Sequence, residues 1–149
     1  MSDILFKTDE YVFSYRVGGL LIRDGKALLQ KPTDDDGYAI IGGHVAFGET
    51  TTETLAREYK EEIGADINVE RLFMVNESFF PWGSHPCQQI NLYYLVSLKD
   101  EAQIPLDRNF KALDELGNER LSHRLRKTET APQDELFSPQ PPRSVRTVP

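Results

Sequence analysis

Cysteine occurs once in the chain, at Cys87, so no internal disulfide can form. That usage fits a reducing compartment, and the cytoplasm is the expected location. No apolar run approaches the ~18 residues of a membrane-spanning helix, so no membrane partner is expected. The opening MSDILFKTDE lacks a basic stretch followed by an apolar one, and no signal peptide is expected. Positive charge is in deficit: 17 Lys and Arg stand against 24 Asp and Glu, a net charge of −7. A nucleic-acid-backbone binder needs a positive surface, so the balance argues against that class and fits a protein that collects cations. No internal repeat is present. What remains is 149 residues, 28% charged and 39% hydrophobic, the composition of one soluble globular domain.

Strands are expected over residues 13–22 and 26–31, joined at Asp24-Gly25, a strong hairpin signal. PTDDDG (32–37) reads as a loop, YAII (38–41) as a short strand and the glycine-rich GGHVAFGE (42–49) as an ordered loop. A helix is expected over about 51–63. Thr50 with Glu53 forms a capping-box pattern at its start, and Gly64 suits a left-handed stop. Residues 67–80 and 90–98 are rich in β-branched and aromatic side chains and read as strands, with 79–88 as a loop between them. Five of the nine prolines fall between Pro132 and Pro149. Residues 118–131 read as a weak helix and 132–149 as an irregular Pro-rich tail, leaving 1–131 as the domain.

The helix carries a run that works against itself. REYKEEIG (57–64) places Glu58, Glu61 and Glu62 within five residues. Like charges three or four residues apart on a helix cost a few tenths of a kcal/mol each. At about 100° per residue, Leu55, Ala56, Tyr59 and Ile63 share an apolar arc. Glu58 and Glu62 flank that arc, Glu61 lies a little further round, and Arg57, Lys60 and Glu53 lie on the far side. Acids crowded at the border of a buried face are stabilised by a cation among them, and a hard divalent ion takes oxygen ligands. On the helix alone, a solvated acidic face partnered by Lys60 and Arg57 is an equally good reading.

The preceding loop shifts the balance. From Gly43, five residues lead to Glu49 and seven more to Arg57-Glu58, followed by Glu61-Glu62 and Gly64. This spacing matches G-x5-E-x7-R-E-U-x-E-E-x-G-U, U being aliphatic, and the chain resembles the Nudix hydrolase family, which includes MutT-like pyrophosphohydrolases. All seven fixed positions are present, and the likeness runs from about residue 14 to 98. Tyr59 and Ala65 stand where aliphatic residues are usual, Ile41 where proline is common, Tyr38 where Trp is common and Ala46 where an acid is common. The family fold closes with a further strand and helix that 118–149 do not obviously supply.

The resemblance implies an α/β fold, an α/β/α sandwich around a central mixed β-sheet. It implies Mg²⁺-dependent hydrolysis of a pyrophosphate bond in a nucleoside diphosphate linked to another moiety, X, with Mn²⁺ a possible substitute. Mg²⁺ neutralises the polyanion and acidifies a bound water. Glu58 and Glu62, one turn apart, can bridge metal, and Glu61 can complete the set. The Gly43 carbonyl is a further ligand by resemblance. Arg57 is expected to orient Glu49 and Glu58 through charge-assisted hydrogen bonds. The general base stays open among Glu58, Glu77 and the Asp100-Glu101 pair, and Lys31 and Arg16 are candidate phosphate contacts. The expected partner is a small nucleotide, with a homodimer left open. Two alternatives stand beside this reading: an ADP-ribose or nucleotide-sugar pyrophosphatase, and a Nudix-fold nucleotide-binding module without turnover.

Other motifs fail. GHVAFGET has Glu49 where a P-loop needs Lys. PTDDDG aligned as an EF-hand puts Pro32 at the first ligand and Gly43 at the twelfth. His44, His85 and His123 lack metal-site spacing and read as surface or loop residues, His85 with a lesser claim to touch substrate. Phe79, Phe80 and Trp82 could stack on a base, but aromatics at a strand end are more often core.

Overall fold

A computed structural model describes residues 2–32, 38–105, 110–111 and 121–127; for residues 31, 32, 111 and 121–127 it describes the backbone alone. The elements run β1 (Leu5–Lys7), β2 (Val12–Arg23), β3 (Lys26–Pro32), β4 (Ile41–His44), α1 (Thr51–Ile63), β5 (Ile67–Trp82), β6 (His85–Leu98), β7 (Phe110–Lys111) and β8 (Leu121–Lys127).

The long strand β2 organises the sheet. One of its edges pairs in parallel with β6, from Val12 opposite Cys87 to Leu21 opposite Val96. Its other edge is shared in turn by β1, β4 and β3, all antiparallel. The main strand order is β5-β6-β2-β3-β8-β7, a mixed sheet. Asp24 and Gly25 both take positive φ, 52° and 71°, so the β2–β3 turn has the left-handed backbone that the Asp-Gly pair favours.

α1 covers one face. Its capping box is formed: the Glu53 amide donates to Thr50 Oγ1 at 3.2 Å, and the Thr50 amide donates to Glu53 Oε2 at 2.9 Å. Gly64 ends the helix at φ 69°. Leu55, Tyr59 and Ile63 point inward and are at most 5% exposed, against Val17, Leu21, Leu28, Val96 and Leu98. Each such side chain contributes about 1.5–3 kcal/mol when fully buried. The unusual Tyr59 fits because β2 offers Gly19 beneath it. A Cβ there would lie 2.8 Å from Tyr59 Cε2, and the Tyr59 hydroxyl donates to the Gly19 carbonyl at 2.9 Å. Leu20, Ala27, Leu29, Ile40 and Tyr93 form a second apolar cluster.

The structure corrects four local expectations. The strand expected over 38–41 starts at Ile41 and runs into the glycine pair, while Ala39 only bridges Gln30. The loop expected over 79–88 shrinks to a Gly83-Ser84 turn, because β5 continues to Trp82 and pairs with His85. Residues 121–127, expected to be a weak helix, form β8 and pair with β3 from Lys26–Lys127 to Pro32–Leu121. An available sheet edge overrides weak local propensity. β1 was not expected at all. The rest of 118–131 and the 132–149 tail lie outside the described residues, and among the described residues α1 is the one helix, so the second helical layer expected for the sandwich is not seen there.

Candidate active site

Gly43, the loop before α1 and the second half of α1 bring the predicted acids together. β4 pairs Gly43 with Val17 and turns its missing side chain toward the helix. A Cβ on Gly43 would lie 2.6 Å from both Cδ and Oε1 of Glu58. Glycine is therefore required so that the backbone and this carboxylate can share the space.

Arg57 ties the cluster. Its Nε donates to Glu49 Oε1 at 3.0 Å and its Nη2 to Glu49 Oε2 at 3.2 Å. Its Nη1 lies 3.1 Å from Glu58 Oε1 and 3.1 Å from Glu61 Oε2. The helical wheel puts Arg57 on the far side, but its long side chain reaches back to the acids. Lys60 does not join them; its Nζ pairs with Asp66 Oδ2 at 3.0 Å. Of the solvated-face reading, only the Arg57 partnership is realised.

Thr54 is a member that sequence reasoning missed. Fully buried, it donates to Glu49 Oε2 at 2.7 Å and accepts from the Ala46 amide at 3.3 Å. It thereby fastens Glu49 to the loop before the helix. On the helical wheel Thr54 falls outside the apolar arc, between Glu58 and Glu61, so in sequence it was visible only as one more polar residue of that border.

The electrostatics divide the acids. The Arg57 guanidinium, helped by the Thr54 hydroxyl, holds the Glu49 carboxyl below its ordinary range. The Arg57 pKa is raised in turn, chiefly by Glu49. Glu58 goes the other way: burial pushes it up to about 7, against the pull of Arg57. Glu62, one turn from Glu58, is partly buried, and its charge is felt both by Tyr59, whose pKa burial raises, and by Arg16, whose pKa burial lowers.

The donors that could hold a metal are the Glu58, Glu61 and Glu62 carboxylates and the Gly43 backbone. Their chemistry fits a hard cation: all are oxygens, and Glu58 is a desolvated acid that a cation would keep ionised. Among the described residues no three acidic, His or Cys side chains converge into a closed metal cage. An ion such as Mg²⁺ usually keeps waters and substrate phosphates in its shell and needs only one or two carboxylates.

The other candidates disperse. Glu77 is exposed on β5, near Gln88 Nε2 at 3.5 Å, and Asp100 and Glu101 are exposed after β6. His85 Nε2 lies 2.9 Å from the Asp9 carbonyl, a surface clamp. Trp82 is buried with Val12 and Cys87, whereas Phe79 is 69% exposed. The side chains of Lys31 and His123 lie outside the described residues. His44 is not a surface residue as expected. Its side chain is 9% exposed and its Nε2 lies 3.0 Å from Ser14 Oγ, on the same sheet face as Arg16.

The NUDIX domain family model matches residues 13–138. The chain belongs to the NUDIX domain family. A UDP-X diphosphatase structure is 26% identical, covering 62% of this chain and 45% of its own, with a TM-score of 0.52. A NUDIX hydrolase from Nitrosomonas europaea is 21% identical over 87% of this chain and 65% of its own, with a TM-score of 0.56. A MutT NUDIX hydrolase from Burkholderia pseudomallei is 21% identical over 81% of this chain and 88% of its own, with a TM-score of 0.59. The last two likenesses speak to the NUDIX fold alone. The chain spans 45% and 65% of the first two structures' own lengths.

Proposed function

We propose that this NUDIX chain is a Mg²⁺-dependent hydrolase that cuts a pyrophosphate bond in a nucleoside diphosphate linked to X, acting on a small nucleotide in the cytoplasm. One observation carries the reading: a single arginine gathers Glu49, Glu58 and Glu61 beside a glycine backbone that Glu58 almost touches. A binding module has no need for a desolvated carboxyl held against the backbone at a cost in self-repulsion.

The roles divide as follows. Glu58, Glu61, Glu62 and the Gly43 carbonyl would hold Mg²⁺, with Mn²⁺ a substitute; when bound, the ion neutralises the diphosphate and acidifies a water. Arg57 orients Glu58 and Glu61, and Glu49 with Thr54 anchors Arg57 in turn. Glu58 is the base we favour over Glu77, Asp100 and Glu101, because it stands in the acid cluster beside Gly43 while those three are exposed elsewhere. Arg16, on β2, meets the substrate's phosphates. The likeness to a UDP-X diphosphatase favours a second reading, an ADP-ribose or nucleotide-sugar pyrophosphatase, in which the group on the nucleoside diphosphate is something other than phosphate.

A hydrolysis screen over nucleoside triphosphates, ADP-ribose, dinucleoside polyphosphates and nucleotide sugars tests the proposal. One class should be cut with Mg²⁺ and none in excess EDTA. Undiminished turnover in EDTA would refute the metal requirement. No turnover of any member would return the chain to the binding-module reading.

A further inference from the structure

The sheet face opposite α1 carries a row of buried polar side chains. Ser14, Gln89 and Asn91 are 0%, 2% and 4% exposed, in strand interiors that ordinarily hold apolar residues. Their hydrogen bonds form a directed chain. Ser14 Oγ donates to Gln89 Oε1 at 2.9 Å, and Gln89 Nε2 donates to Asn91 Oδ1 at 3.2 Å. Because the Ser14 proton is spent on Gln89, its oxygen accepts from His44, whose Nε2 lies 3.0 Å away and must carry the hydrogen. Burial and the nearby Arg16 charge keep His44 neutral, with its pKa down at about 4.

The chain fixes the Asn91 amide: Oδ1 is used, and Nδ2 is left as the end donor. That nitrogen is buried and finds no acceptor. Leaving such a group unpaired is costly, and a native structure keeps one for a reason. Arg16 stands directly across from Asn91 in the β2–β6 register, on the same face, and no ion pair involves it among the described residues. It lies within electrostatic reach of both His44 and the acids Glu58 and Glu62.

We propose that this row is the base-recognition subsite of the hydrolase, in which the Asn91 amide donates to a carbonyl of the substrate's nucleobase while Arg16 spans toward its phosphates. Ser14, Gln89 and His44 are positioning residues that hold the amide the right way round. The Asn91 nitrogen is closed off without substrate, so binding draws a covering side chain aside. Arg16, long, partly exposed and adjacent, moves toward the phosphates. The inference rests on the proposed hydrolase function for its phosphate end, but the base contact can be measured without turnover.

The probes are GMP, UMP, CMP and AMP with Mg²⁺ present, since none has a pyrophosphate bond to cut. Calorimetric titration should show tighter binding of at least one carbonyl-bearing base than of AMP. Asn91→Ala should weaken that binding about tenfold, the loss of one hydrogen bond, and erase the preference over AMP. In the wild-type protein, the Asn91 side-chain amide resonances should shift on adding the preferred nucleotide, a readout that no variant's folding can obscure. Ser14→Ala should weaken binding less, because it frees the amide to turn without removing it. Binding unchanged in Asn91→Ala, amide resonances that stay put, or no binding of any of the four at millimolar concentration would each overturn the inference. Selective binding without any hydrolysis would sink the proposed function and leave this subsite standing. Hydrolysis with Asn91-independent binding would do the reverse.

Discussion

Gly42 and Gly43 are neighbours that lack a side chain for different reasons. A Cβ on Gly42 would lie 2.0 Å from the Val17 carbonyl oxygen and 2.8 Å from the Gly18 Cα, atoms that cannot move without parting β4 from β2. A Cβ on Gly43 would meet only the Glu58 carboxyl, the far end of a flexible side chain. Gly42→Ala should therefore cost at least ~2 kcal/mol of stability, in the range of severe overpacking, seen as a lower urea midpoint. Gly43→Ala should leave the midpoint within about 1 kcal/mol, while displacing Glu58 and lowering kcat about 10²-fold. Equal losses of stability in the two variants would defeat the distinction. Sequence alone read Gly43 as the place where backbone approaches an ion. It could not separate Gly42 from it, because the reason lies in strand pairing. Glu62→Gln tests ligation with size preserved: kcat should fall at least ~10²-fold with the melting temperature nearly unchanged. Wild-type turnover in that variant would clear Glu62 of a ligand role.

At the scale of elements, α1 was readable nearly to the residue because its signals are local: a capping box, a glycine stop and a 3.6-residue apolar arc. The arc also gave the border position of Glu58, Glu61 and Glu62. β4, the short Gly83-Ser84 turn and β8 were misread because their signals are not local. β4 contains two glycines and is a strand only because β2 lies alongside, and β8 exists through its pairing with β3. The buried row on β2 and β6 was legible in principle, since Ser14 and Arg16, like Gln89 and Asn91, alternate with period two. Polar residues at a strand period read as a solvent face unless the opposite cover is known. Helix and sheet also show a compensating pair. Tyr59 occupies the room left by Gly19. Gly19→Ala should cost about 1–3 kcal/mol by overpacking, and Tyr59→Leu a similar amount by leaving a cavity. The double variant should be more stable than the sum of the two predicts, because the new methyl enters the vacated space. Strict additivity in thermal melts would show that the two positions do not share that space.

For the molecule as a whole, two buried titrating groups set opposing slopes of stability against pH. His44 falls from an ordinary 6.5 to about 4 because it is buried beside Arg16. Between those values the unfolded chain holds a proton that the folded one does not, so stability rises with pH. Glu58 rises from 4.5 to about 7 because it is buried. Across that window the folded chain holds the extra proton, so stability falls as pH rises. The windows overlap between about pH 4.5 and 6.5, and there the two contributions oppose each other. Glu49, held low by Arg57, adds stability that is lost only at more acid pH. In EDTA, Glu58→Gln should unmask a stability that climbs with pH across the overlap, and His44→Gln one that declines. Urea midpoints at three pH values inside the window measure both slopes. If Glu58→Gln follows the wild-type pH profile, Glu58 is not protonated in the metal-free fold. The desolvation that this arrangement imposes on Glu58 would then be absent. If the slope appears as expected, the fold itself is holding a carboxyl in its costly environment at neutral pH, which is the property a cation bound beside Gly43 would relieve.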